Sequence, residues 1–113
     1  MTVVETPLYL RKTAAPFDEE ERAELAAYVA ANPAAGDVIP EAGGVRKPRW
    51  AAKGKGKRGG ARIIYYYHDE STPVFLLSAY AKSEQVNLSK AERNEMRRLA
   101  PQLIRDYRRR SIP

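Results

Sequence analysis

The sequence contains no cysteine and a single histidine, His68. The first absence excludes a disulfide framework, a cysteine-ligated zinc site, a thiol nucleophile and thiol redox chemistry. The second excludes a multi-histidine metal site. No apolar run approaches the roughly 18–20 residues that a membrane span needs, and the N-terminus lacks a basic region followed by a hydrophobic signal segment. A cytoplasmic protein with no membrane partner and no cofactor is therefore expected. Its 113 residues leave no room for a second core, so residues 1–113 are read as one domain.

Acidic side chains are missing from one long stretch. The formal net charge of +6 divides unevenly: residues 1–43 hold three basic and eight acidic side chains, and residues 44–113 hold seventeen and six. Within the basic part, Val45 to Arg62 carries Arg46, Lys47, Arg49, Lys53, Lys55, Lys57, Arg58 and Arg62 with no acid between them. On a solvated helix, acids four residues away would be expected to balance such a run. Gly54, Gly56, Gly59 and Gly60 make a helix there unfavourable. The segment reads as a basic loop, either a disordered solubility linker or a surface for an anionic partner.

The flanking segments favour an α+β fold. Thr2 to Glu5 is β-branched and half apolar, a short strand limited by Pro7. Asp18-Glu19-Glu20-Glu21 opens a helix with an N-cap and negative charge at the positive end of its dipole, and Asn32-Pro33 should end it. Leu25, Tyr28, Val29 and Asn32 form its inward stripe. Asp37-Val38-Ile39 and Val45 to Ala51 are extended segments, the second interrupted by Pro48. Arg62 to Tyr67 and Val74 to Tyr80 are the strongest strand signals, and the short turn between them predicts an antiparallel hairpin. Ser89-Lys90-Ala91-Glu92 is a capping box opening a helix with Met96, Leu99, Ala100, Leu103, Ile104 and Tyr107 on one face, which Pro101 should kink or restart. A small antiparallel sheet with helices segregated onto one side suits this order.

Several chemistries fail on spacing. Gly54 and Gly59 have the spacing of a phosphate-binding loop, but Gly60 stands where its lysine belongs and no Ser or Thr follows. Glu70 and Glu84 are isolated, and serine nucleophiles lack a histidine partner. What remains is a cation-rich loop beside tyrosine-bearing strands, a combination suited to a phosphodiester backbone and stacked bases. At least one of Tyr65, Tyr66 and Tyr67 must nevertheless be core, because alternate strand residues face opposite ways. RNA can be cut here without a metal, since its 2′-hydroxyl is the nucleophile. The protein then supplies a base, a cation for the phosphorane and an acid for the 5′ oxygen. Lysine ordinarily titrates near ~10.4, but neighbouring cations lower that value and make base work accessible. Arg62, where the loop enters a strand, is the better-placed electrostatic clamp.

The strings Gly44-Val45-Arg46-Lys47-Pro48-Arg49, Lys53-Gly54-Lys55-Gly56-Lys57-Arg58-Gly59-Gly60-Ala61-Arg62-Ile63-Ile64-Tyr65-Tyr66 and Leu76-Leu77-Ser78-Ala79-Tyr80-Ala81-Lys82-Ser83-Glu84 together resemble the HigB branch of the RelE/HigB toxin superfamily. The resemblance implies a RelE-like α+β fold and the toxin of a bacterial type II toxin–antitoxin pair. It also implies a metal-independent, ribosome-dependent endoribonuclease that cuts translated mRNA, partnered by a small helix-turn-helix antitoxin of HigA type. By that resemblance Arg62, Lys82 and Lys57 are the catalytic candidates. Arg46, Lys47, Arg49, Lys53, Lys55 and Arg58 would bind RNA and the ribosome. Ser83 replaces a second basic residue, and Asn87-Leu88-Ser89 replaces an expected tyrosine, which leaves base and acid unassigned. The alternative is a noncatalytic nucleic-acid binder, or a ParE-like inhibitor of a DNA-processing enzyme on the same fold.

Overall fold

The computed structural model describes residues 1–13, 19–48, 61–81 and 88–111. In chain order the elements are β1 (Val3–Glu5), α1 (Pro7–Thr13), α2 (Glu19–Ala31), β2 (Asp37–Val38), β3 (Val45–Lys47), β4 (Ala61–Tyr66), β5 (Val74–Ala81) and α3 (Lys90–Ser111). The strands form one sheet in the order β1-β5-β4-β3-β2. The predicted hairpin is there, with β4 and β5 antiparallel, and β3 and β2 continue that pattern outward. Only β1 departs from it, lying parallel to β5 with Val3 opposite Val74.

The α+β class is as expected, but the helices do not share one side of the sheet. Ile63 and Tyr65 pack with Tyr9 of α1 and Leu25 and Val29 of α2, whereas Ile64 and Tyr66 pack with Met96, Ala100 and Ile104 of α3. Four successive buried residues in β4 explain this: alternation sends two to each face, and an apolar surface on both faces needs cover on both. Burying each large aliphatic side chain contributes roughly 1.5–3 kcal/mol, so leaving either face open would be costly. The pairing jumps from Ile64 opposite Ser78 to Tyr65 opposite Leu76, making Leu77 the extra residue of a β-bulge. Through that bulge Ala79 reaches the same core as Leu76 despite the odd spacing.

Local chemistry sets the helix starts. Thr6 caps α1: its hydroxyl accepts from the Tyr9 N–H at 3.3 Å and donates to the Leu76 carbonyl at 2.8 Å, tying the helix start to β5. Pro7, read above as the limit of a strand, is the first residue of this helix, where a missing N–H is harmless. The capping box of α3 forms as expected, with Ser89 N–H to Glu92 Oε1 at 2.8 Å and Glu92 N–H to Ser89 Oγ at 3.1 Å. Pro101 neither ends nor restarts α3, which continues as one helix to Ser111. The stripe Met96, Ala100, Ile104 stays in phase across the proline, and its packing on the sheet holds the two halves together.

Candidate functional site

Three strand ends meet at one end of the sheet. Ala61 pairs with Ala81 and Arg62 with Tyr80, so β4 begins beside the point where β5 finishes. Strand β3 runs antiparallel to β4, with Val45 opposite Tyr66 and Arg46 opposite Tyr65, and therefore leaves the sheet toward that same end. The basic segment 49–60 connects β3 to β4, and Lys82 directly follows β5. Arg49, Lys53, Lys55, Lys57, Arg58 and Lys82 lie outside the described residues, as does the Arg62 side chain; the Arg62 backbone sits in β4. Topology thus brings together the end of β3, the start of β4 and the end of β5.

Of the marked cations, Arg46 and Lys47 are described, and both are half-buried. Arg46 is already engaged. Its Nη1 donates to the carbonyls of Gly36 at 2.8 Å and Ala34 at 3.2 Å, in the turn that follows α2. Its cross-strand neighbour Tyr65 grips the same turn: the hydroxyl donates to the Pro33 carbonyl at 2.9 Å and accepts from the Gly36 N–H at 3.0 Å. Gly36 fits because it has no side chain. A Cβ there would stand 2.7 Å from the Tyr65 hydroxyl and 2.9 Å from the Lys47 carbonyl. The basic strand β3 is thereby braced against the exit of α2, and Lys47 leads from this brace toward the loop.

The tyrosine run is structural rather than a platform for bases. Tyr65 is fully buried, Tyr66 nearly so on the other face, and Tyr67 is half-buried. Burial pushes the Tyr65 hydroxyl above its ordinary pKa of 10.0, although the Gly36 N–H and Arg46 pull it back. It is a protonated donor at neutral pH. Burial also raises Tyr66, with the charge of Asp69 adding to the effect. The Tyr66 hydroxyl lies 3.3 Å from His68 Nδ1 at the opposite end of the sheet, in the turn where His68 was expected.

Sequence reasoning missed the brace made by Arg46, Tyr65 and Gly36. Its signal was the pairing of a turn, Asn32-Pro33-Ala34-Ala35-Gly36, with a glycine in close packing, but which partner fills that space depends on strand register. Among the described residues, no helix is long and apolar enough to cross a membrane. A family model for the RelE toxin of the RelE/RelB toxin–antitoxin system matches residues 10–110. That span includes every strand but β1, the basic connection between β3 and β4, Lys82 and nearly all of α3, so the chain belongs to the RelE toxin family, the toxin half of a toxin–antitoxin system with an antitoxin as its partner.

Proposed function

We propose that this toxin is a ribosome-dependent, metal-independent endoribonuclease of the HigB branch, cutting translated mRNA through the RNA 2′-hydroxyl. The observation that carries the reading is the meeting of β3, β4 and β5 at one sheet end, from which the acid-free basic connection between β3 and β4 departs and after which Lys82 follows β5 in the chain. The glycine-spaced cations between β3 and β4 support the HigB assignment. A base among the clustered lysines, with Lys57 and Lys82 as candidates, removes the 2′ proton. The 2′ oxygen attacks phosphorus, forming a cyclic phosphate, and the leaving 5′ oxygen is protonated as its bond to phosphorus breaks. Arg62 is assigned to the charge that accumulates on the phosphorane, the term on which such catalysis depends most. Lys47, Arg49, Lys53, Lys55 and Arg58 hold the message against the site. Arg46 contributes mainly by fixing β3, since its guanidinium is bonded to two backbone carbonyls. The cognate antitoxin is assigned to the helix-turn-helix HigA type.

The test is induction of the wild-type chain and of Arg62→Ala, followed by primer extension on cellular messages. Codon-phased cuts during active translation and loss of both cuts and growth arrest in the variant are expected. Growth arrest with intact messages would instead indicate a poison of another target on the same fold.

A further inference from the structure

The described strands carry acids at only two positions, Glu5 in β1 and Asp37 in β2, at opposite edges of the sheet. Only Asp37 adjoins the basic strand. It lies directly opposite Lys47 of β3, and residues so paired share one face of the sheet. Because β2 and β3 are antiparallel, Asp37 stands at the end where β3 leaves for the basic connection. The register therefore sets one carboxylate against a stretch, Val45 to Arg62, that contains no acid of its own. Its backbone is held on both sides. The turn before it is gripped at Gly36 by the Tyr65 hydroxyl and the Arg46 guanidinium. After it, the Ile39 N–H donates to the Val45 carbonyl at 2.9 Å. Asp37 itself is exposed.

We infer that Asp37 is a specificity-determining residue of the cutting site, accepting hydrogen bonds from the Watson–Crick edge of a guanine in the bound message. This rests on the nuclease reading above and adds to it which base is read. An ionised aspartate accepts hydrogen bonds and donates none. A phosphate offers no donor and carries the same sign of charge, so the carboxylate is unsuited to the backbone that neighbouring cations would hold. A base edge suits it. Guanine alone among the four bases presents two donors side by side, N1–H and the N2 amino group, which match the two oxygens of one carboxylate. Adenine and cytosine set an amino group beside an acceptor nitrogen. Uracil flanks its single N–H with two carbonyls, which a carboxylate repels. Spacing supports the same division: β2 and β4 are two strand spacings apart, about 10 Å. A nucleotide whose phosphate is held at the start of β4 can therefore carry its base toward β2.

The test uses the full chain and ribosomes programmed with defined messages, each position of the exposed codon being guanine, adenine, cytosine or uracil in turn, with cuts read by primer extension. At one position the wild-type chain should cut the guanine message at least about tenfold faster than the uracil message. Asp37→Asn should bring the four bases to within about threefold of one another there, with an unchanged melting temperature. Asp37→Glu, which keeps the carboxylate, should keep the order of the bases. A message carrying inosine, which is guanosine without the N2 amino group, probes the same contact without altering the protein. Inosine should slow the wild-type chain and leave Asp37→Asn indifferent. The inference is overturned by a base preference that survives Asp37→Asn, by an equal loss on all messages, as a contact to the 2′-hydroxyl or a purely structural role would give, or by a wild-type chain that treats inosine and guanosine alike. Absence of any cutting by the wild-type chain would sink the nuclease reading and this inference with it, whereas cutting that ignores guanine sinks this one alone.

Discussion

Replacing Tyr65 by Phe keeps the ring in the core and removes only the hydroxyl that joins the Gly36 N–H to the Pro33 carbonyl. Two backbone groups then lose their partner, and Tyr65→Phe should cost about 1–3 kcal/mol in urea denaturation. Gly36→Ala should cost a similar ~1–3 kcal/mol by overpacking. The two changes should be non-additive, because removing the hydroxyl relieves the 2.7 Å contact while the 2.9 Å approach to Lys47 remains. Additive losses would separate Gly36 from the brace. Tyr9 offers a test at high pH. Burial, then the charge of Glu5, raises its hydroxyl to about 12 from 10.0. The folded state therefore holds this proton more tightly than the unfolded chain. Its contribution is complete below pH 10 and is lost as the pH rises toward 12. Tyr9→Phe should flatten the alkaline fall of stability over that window. An unchanged alkaline profile would assign the fall to other groups.

At the scale of elements, α3 depends on its first turn and on its packed stripe. Ser89→Ala breaks the capping box and should cost about 1 kcal/mol, read as a lower melting temperature. A loss near zero would mean that packing alone fixes the helix start. The capping box and the stripe were legible because both are local patterns, set by side chains three or four residues apart. The continuity of α3 through Pro101 was not, because it depends on what lies beneath the helix: Met96, Ala100 and Ile104 share one core on both sides of the proline. Helix α1 was missed for a related reason. Thr6-Pro7 serves equally as the end of a strand and as an N-cap with proline behind it. The choice is made by the Leu76 carbonyl, about seventy residues away in sequence, to which the Thr6 hydroxyl donates. Likewise alternation alone says that at least one tyrosine of the run is core, and that Tyr65 and Tyr66 are both buried becomes clear only when β4 is known to be covered on both faces.

At the scale of the molecule, the candidate site was legible as a list of cations, and topology adds that the strands flanking those positions end side by side. No local pattern in Arg62 or Lys82 says that the start of β4 lies beside the end of β5; the hairpin register does. The parallel placement of β1 was out of reach for the same reason, since a three-residue strand carries no mark of its partner. That strand nevertheless completes the sheet. The Val74 N–H donates to the Thr2 carbonyl at 2.9 Å and the Thr6 N–H to the Leu76 carbonyl at 3.2 Å. Deleting residues 1–5 should leave β5 with an unpaired edge, lowering the urea midpoint and promoting concentration-dependent aggregation. A soluble truncation of unchanged midpoint would show that the edge needs no cover. The pairing of Val3 with Val74 also sets an order of events during synthesis. At roughly 5–20 residues per second, the first strand waits about 4–15 s for its neighbour to be made. Closing so long a loop is entropically slow, so the segment made first is among the last to find its place.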